Sequence, residues 1–157
     1  MCGKLLRGNR RGCNLNSSNG HPVPSILVID DDPDILEALS EILESEGFGI
    51  HQARNGLEAL EVLEPLRPDL ILLDLMMPVM DGWEFAENIR RRPDWAEIPV
   101  IVLSADRNIE DKARQLGAVG YLAKPFELSE LLSLVQTSLT SLQAAGTGGR
   151  HIGPGQA

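Results

Sequence analysis

Four short apolar runs in this 157-residue chain each end on residues that can do chemistry. Ser25-Ile-Leu-Val-Ile29 runs into Asp30, Asp31 and Asp32, and Leu70-Ile-Leu-Leu73 into Asp74. Val100-Ile-Val-Leu103 runs into Ser104, and the stretch from Val119 to Ala123 into Lys124 and Pro125. Singly, each has an ordinary use: an acid after a strand is common in loops, and Asp32 before Pro33 suits a helix cap. Jointly they suggest a site. If the runs are neighbouring strands, Asp30, Asp31 and Asp74 crowd together, and like charges raise one another's pKa unless a cation intervenes. Lys124 brings one positive charge against three acids. A hard divalent ion with oxygen ligands supplies the remainder, and Mg²⁺ suits because it keeps several waters and uses few protein carboxylates. No Cys or His joins the set, which argues against zinc or copper. His21 and His151 fall near the chain ends, and His51 reads as a surface residue. A carboxylate beside such an ion is a competent nucleophile toward phosphorus. An ammonium and a hydroxyl can then offset charge on the transferring oxygens. The pattern points to phosphoryl transfer.

That convergence needs elements that bring strand ends to one edge. Short continuous apolar runs are the signature of strands buried on both faces of a parallel sheet. A fifth, weaker run spans Ile50 to Ala53. Between the runs lie helical patterns. Asp32-Pro33 opens a helix with the stripe Ile35, Leu36, Leu39, Ile42 and Leu43, closed by Gly47. A second runs from Asn55 to about Glu64, with Leu57, Leu60 and Leu63 expected inward. Others cover Trp83 to Arg91, after a turn at Pro78–Gly82, and Ile109 to Leu116. The last carries Leu128, Leu131, Leu132, Val135, Leu139 and Leu142. Strands alternating with helices imply parallel pairing by right-handed crossovers, hence a doubly wound α/β sheet with helices on both faces. Ligands in such sheets bind beyond the carboxyl ends of the strands, where the candidate residues stand.

Composition narrows the function classes. Apolar types make up 43% and charged types 24%, a balance suited to a globular core. No apolar run approaches the length of a membrane span, and the start of the chain lacks the apolar core of a signal peptide. Cys2 and Cys13 are the only cysteines, so no disulfide framework braces the core, and a reducing cytoplasm fits. The net charge of -9 is uneven: residues 1–24 carry +4, residues 143–157 carry +1, and residues 25–142 carry -14. So acidic a body repels nucleic acid phosphates, so direct nucleic acid binding is not expected. Residues 1–24, rich in Gly, Asn and Ser, and residues 143–157, rich in Gly, lack periodicity, reading as a disordered basic tail and a disordered Gly-rich tail around one domain.

The stretches ILVIDDDPDI, LILLDLMMPVMDG, VIVLSA and GYLAKPF, in that order across about residues 25–142, resemble the receiver domains of two-component response regulators, the CheY-like superfamily. The resemblance implies a flavodoxin-like, five-stranded sheet of order 2-1-3-4-5. It implies Asp74 as the phosphoacceptor, Asp31 as a direct Mg²⁺ ligand, and Asp30 acting through metal-bound water. The backbone carbonyl of Met76 resembles the third protein ligand. Ser104 matches the hydroxyl that turns toward the phosphoryl group, Lys124 the lysine that pairs with it, and Tyr121 the aromatic that changes rotamer alongside. The Lys124–Pro125 bond matches one that is cis in the family. Two departures matter. Twenty positions separate Ser104 from Lys124, short for the family, so the fourth helix or its preceding loop should be abbreviated. Val119 and Gly120 stand where the transcription-factor subclass often carries acids, so a dimer built on that subclass's salt bridges is not expected. A monomer or weak homodimer is.

The implied partners are a histidine kinase or phosphotransfer protein and an unidentified downstream target protein. On this reading the protein is no enzyme but a phosphoacceptor that assists its own phosphorylation and dephosphorylation. Met76, two past Asp74, cannot orient an attacking water as an amide or acid can, and Asp106, two past Ser104, can either hold or repel one. Slow to moderate loss of phosphate is expected. After the last helix only a Gly-rich stub remains, with no helix-turn-helix, so a stand-alone regulator is expected. An aspartyl-phosphate phosphatase is disfavoured, because Asp74-Leu75-Met76 lacks the second acid such enzymes place two positions on. A receiver-like module that binds without being phosphorylated should have an incomplete acidic site, and this set is complete.

Overall fold

Aliphatic runs with no polar face can be satisfied only between two layers of helix, and three of them here, flanked by two less apolar edge strands, form one parallel sheet. The computed structural model describes residues 23–148. Its strands are β1 (Ser25–Ile29), β2 (Gly49–Ala53), β3 (Leu70–Asp74), β4 (Val100–Ser104) and β5 (Gly120–Ala123), in the order β2-β1-β3-β4-β5. The helices are α1 (Pro33–Ser45), α2 (Gly56–Leu63), α3 (Gly82–Arg90), α4 (Pro93–Ala96), α5 (Ile109–Leu116) and α6 (Leu128–Gly148). The doubly wound architecture and the strand order are those expected.

Alternation along the strands divides the core in two. Leu27, Ile29, Ile71, Leu73 and Val102 face a layer with Leu63 of α2, Phe85 of α3, Trp95 of α4 and Ile109 of α5. Ile26, Val28, Leu72, Ile101 and Leu103 face α1 and α6 through Leu36, Leu43, Leu131 and Val135. β3 and β4 are buried throughout, whereas the edge strands β2 and β5 are half-exposed, which is why their sequences are the less apolar ones.

Helix starts follow local chemistry. Asp32 accepts a hydrogen bond from the Asp34 N–H at 3.0 Å, with Pro33 in the first turn. Asn55 and Asp81 cap α2 and α3 by accepting from the N–H groups of Glu58 at 2.9 Å and Glu84 at 3.0 Å.

The structure corrects several details. Leu57, expected inward, is 47% exposed, and Ala59 is buried in its place, whereas Leu63 is buried as expected. Gly56 lies so close to Met80 that the rotation of α2 is set there, turning Leu57 outward. Leu128 stays 43% exposed because it stands in the first turn of α6, ahead of the seam of Leu131, Val135 and Leu139. The four-residue α4 was not anticipated; Pro93 starts it, and the Arg92 guanidinium lies 3.8 Å over the Trp95 ring while pairing with Glu64 at 3.0 Å. α6 continues past Leu142 into the segment read as tail, helped by helix formers Gln143, Ala144 and Ala145. Residues 1–22 and 149–157 of the two expected tails, with His21 and His151, lie outside the described residues. His51 is half-buried on β2, not at the surface, and burial lowers its pKa.

Candidate functional site

Strand register builds the site. Ile29 is level with Leu73, so Asp30 and Asp74 follow side by side at the carboxyl edge of β1 and β3. Ser104 is level with Ala123, so Lys124 emerges next to the end of β4. The three consecutive aspartates then take three directions. Asp30 is 2% exposed; its Oδ2 accepts from Lys124 Nζ at 2.8 Å and its Oδ1 from the Asp32 N–H at 2.9 Å. Asp31 is exposed, and Asp32 caps α1. Asp74 is buried, with Oδ1 accepting from the Met76 N–H at 3.3 Å and Oδ2 lying 3.6 Å from Lys124 Nζ. One carboxylate oxygen each from Asp30, Asp31 and Asp74 lie within 4.8 Å of one another. The Lys124–Pro125 bond is cis.

Charge at this cluster is unbalanced. Burial and the neighbouring Asp30 carboxylate push the Asp74 pKa up to about 6, against the pull of Lys124 and the Met76 N–H, with Asp31 adding to the rise. Burial would lower the Lys124 pKa, but its hydrogen bond to Asp30 and the charges of Asp74 and Asp30 outweigh that, and it is raised. The lysine is therefore a fixed positive charge, too few for three acids. Oxygen donors only, an exposed side at Asp31 and excess negative charge are what a hard divalent ion fits. Asp30, Asp31 and Asp74 are the carboxylates that could hold such an ion.

The β3–α3 loop fixes the position of Asp74. The Met80 N–H donates to the Pro78 carbonyl at 2.7 Å across Val79, whose φ of 68° is a strained setting for a β-branched residue. The Met80 carbonyl accepts from the Gly56 N–H at 3.0 Å, and Leu75 O from the Gly82 N–H at 3.1 Å. A Cβ on Gly82 would stand 2.8 Å from the Asp74 carbonyl oxygen, and one on Gly56 2.7 Å from Met80 Cγ. Sequence reading took Gly82 as a turn residue and gave Gly56 no role. Nothing local in the chain signals that both are contact positions.

Ser104 and Tyr121 stand apart from the cluster. Ser104 is fully buried, and its Oγ accepts from the Asp106 N–H at 3.2 Å. Among the described residues no hydrogen bond joins that hydroxyl to Asp74 or Lys124. Tyr121 pairs with Val102 across β4 and β5 and is 38% exposed at the sheet edge. Asp106 accepts from the Asn108 N–H at 2.7 Å and pairs with Lys112, a residue the sequence did not single out. The hydrogen bond from Lys112, seconded by the Asn108 N–H, lowers the Asp106 pKa. Met76 is 66% exposed at the rim.

Comparison with known proteins agrees with this geometry. "DNA-binding dual master transcriptional regulator RpaA" of Synechocystis sp. is 42% identical over 119 residues, 74% of this chain and 49% of that protein. "Transcriptional regulatory protein PrrA" of Mycobacterium leprae is 40% identical over 126 residues, 79% of this chain and 53% of that protein. This chain thus spans about half the length of the curated relatives it matches. Among solved structures, chemotaxis response regulator CheY4 of Vibrio cholerae superposes with a TM-score of 0.69 at 31% identity, over 73% of this chain and 98% of that one. Response regulator TrrA of Thermotoga maritima, solved in complex with Mg²⁺-BeF, gives 0.66 at 36% identity over the same shares. No helix among the described residues is long and apolar enough to cross a membrane. The response regulator receiver domain matches as a family over residues 26–136, and the chain belongs to that family.

Proposed function

We propose that Asp74 accepts a phosphoryl group from a phosphohistidine on a histidine kinase or phosphotransfer protein, in a Mg²⁺-dependent reaction, and that the protein signals by the conformational change that follows. The observation carrying this is a buried carboxylate with Lys124 Nζ at 3.6 Å and the carboxylates of Asp30 and Asp31 alongside. Mg²⁺ when bound would offset charge on the phosphoryl oxygens and keep Asp74 ionised. Asp74 attacks phosphorus, the P–N bond of the donor breaks, and the donor imidazole regains a proton. Lys124, aimed by Asp30, takes one phosphoryl oxygen. Ser104 turns from the Asp106 N–H to donate to another, and Tyr121 follows. The phosphoryl group thus binds the active conformation better than the resting one, which shifts a pre-existing equilibrium. Water later hydrolyses the acyl phosphate, so the protein is a switch and not a turnover enzyme.

Output through a protein partner fits a body of charge -14 better than DNA contact does. The DNA binding named for RpaA belongs to a protein of which this chain spans 49%. The proposal includes a cytoplasmic location, where kinases draw on ATP, and at most weak self-association. A non-phosphorylated module is disfavoured by the complete aspartate cluster. A phosphatase is disfavoured because the side chain two past Asp74 is an exposed methionine, with no proton to give a leaving group.

Incubation with Mg²⁺ and acetyl phosphate or phosphoramidate tests this by intact mass. A single added phosphoryl group is expected, absent with EDTA and absent in Asp74→Asn. Continuous multiple turnover would favour the phosphatase, and no labelling would leave the non-phosphorylated module.

A further inference from the structure

The loop between β4 and α5 is tied down more firmly than a passive connection needs. Asp106 carries both ties. Its Oδ1 accepts from the Asn108 N–H at 2.7 Å, and its Oδ2 pairs with the Lys112 ammonium. Lys112 stands on a seated helix: its N–H donates to Asn108 O at 3.0 Å, and Ile109, Ala113 and Leu116 are buried beneath it. The Asp106 N–H in turn donates to Ser104 Oγ at 3.2 Å. A continuous set of contacts therefore runs from α5 to the hydroxyl that must move.

For Ser104 to reach a phosphoryl group on Asp74, its oxygen must leave the Asp106 N–H. That donor is then unpaired unless the loop shifts with the serine or water enters, and an unpaired donor in this part-buried setting carries a cost. While Lys112 holds the Asp106 carboxylate, the loop resists shifting. We propose that the Lys112–Asp106 ion pair is a latch that keeps the Asp106 peptide on Ser104 Oγ and so sets how readily Ser104 turns to the phosphoryl group. Lys112 and Asp106 are positioning residues, acting through Ser104. The inference rests on the reading of Asp74 and Ser104 given above.

Beryllofluoride, a stand-in for the phosphoryl group, separates the two claims. Lys112→Met keeps the aliphatic stem and removes the charge. With Mg²⁺ present, it should tighten beryllofluoride binding by about fivefold, the scale of a modest coupling between sites. Affinity for Mg²⁺ alone should not change, since the acidic cluster is built without Lys112. Lys112→Arg should restore the original affinity, and in a Ser104→Ala background Lys112→Met should have no effect. A merely structural lysine would alter stability without this selective tightening. Equal or weaker beryllofluoride binding by Lys112→Met, with Mg²⁺ binding intact, overturns the latch alone, as does tightening that persists without the Ser104 hydroxyl. Failure of the unmodified protein to bind beryllofluoride, or binding retained by Asp74→Asn, overturns the reading of Asp74 and takes the latch with it. Should Lys112→Met not fold by circular dichroism, Asp106→Asn carries the same comparison, since it removes the ion pair but keeps an acceptor for Asn108.

Discussion

Asp30, Asp31 and Asp32 are chemically identical and adjacent, yet each meets a different field. Asp30 is aimed inward beside Lys124, Asp31 meets solvent, and Asp32 turns back on the first turn of α1. Asp74 shares the interior with Asp30, and its ionisation carries a cost. Its pKa of about 6 exceeds the ordinary value of 3.8, so the native state holds this proton more tightly than the unfolded chain does. Between those values stability falls as pH rises, and above about 6 the full cost of the ionised carboxylate is present. In metal-free buffer Asp74→Asn should therefore stabilise the fold near pH 7.5, on the order of 3 kcal/mol given ~1.4 kcal/mol per pH unit. The gain should vanish by about pH 3, below both values. Urea melts at both pH values check this, and a gain independent of pH would contradict it. Proximity of the acids was legible from the chain, because each follows an apolar run. Which acid is buried was not, because that depends on how the first turn of α1 leaves the sheet.

Elements hold these residues through contacts between loops. The β3–α3 loop closes on itself through Gly82 and Leu75 O and on α2 through Gly56 and Met80 O. By helix propensity alone, Gly82→Ala at the first position of α3 should stabilise the protein by up to ~1 kcal/mol. Contact predicts the opposite sign. The added methyl would stand 2.8 Å from Asp74 O and Leu75 Cα, both backbone atoms that cannot swing aside. Gly82→Ala should destabilise by about 2 kcal/mol in urea melts, as overpacking does, and slow phosphorylation by a small donor because the Asp74 peptide must shift. Unchanged stability with an unchanged rate would show that the loop yields freely. The same reasoning explains Leu57. A helical pattern marks an apolar face, but the packing of Gly56 on Met80 selects which residues of α2 turn inward.

At the scale of the molecule, the site is the place where three strands of the sheet end together, so binding there is linked to folding. Any ligand that binds the folded state alone stabilises it, by ~2.7 kcal/mol at a hundredfold excess over Kd. Mg²⁺ should therefore raise the melting temperature, and Asp31→Ala should abolish the response. Asp32→Ala should lower the melting temperature, through a lost cap of ~1 kcal/mol, yet keep the Mg²⁺ response. A metal response surviving in Asp31→Ala would move the ion elsewhere. By itself the sequence determined the alternation of strand and helix, the helix cap at Asp32, and the kinds of group at the strand ends. Those follow from side-chain period and short-range hydrogen bonding, which act within a few residues of chain. Only the tertiary structure decided that Ser104 rests against Asp106, that Lys112 holds Asp106, and that Gly56 and Gly82 brace the β3–α3 loop. Each of these depends on distances between segments that are set when helices seat on the sheet, and no periodicity along the chain encodes such a distance.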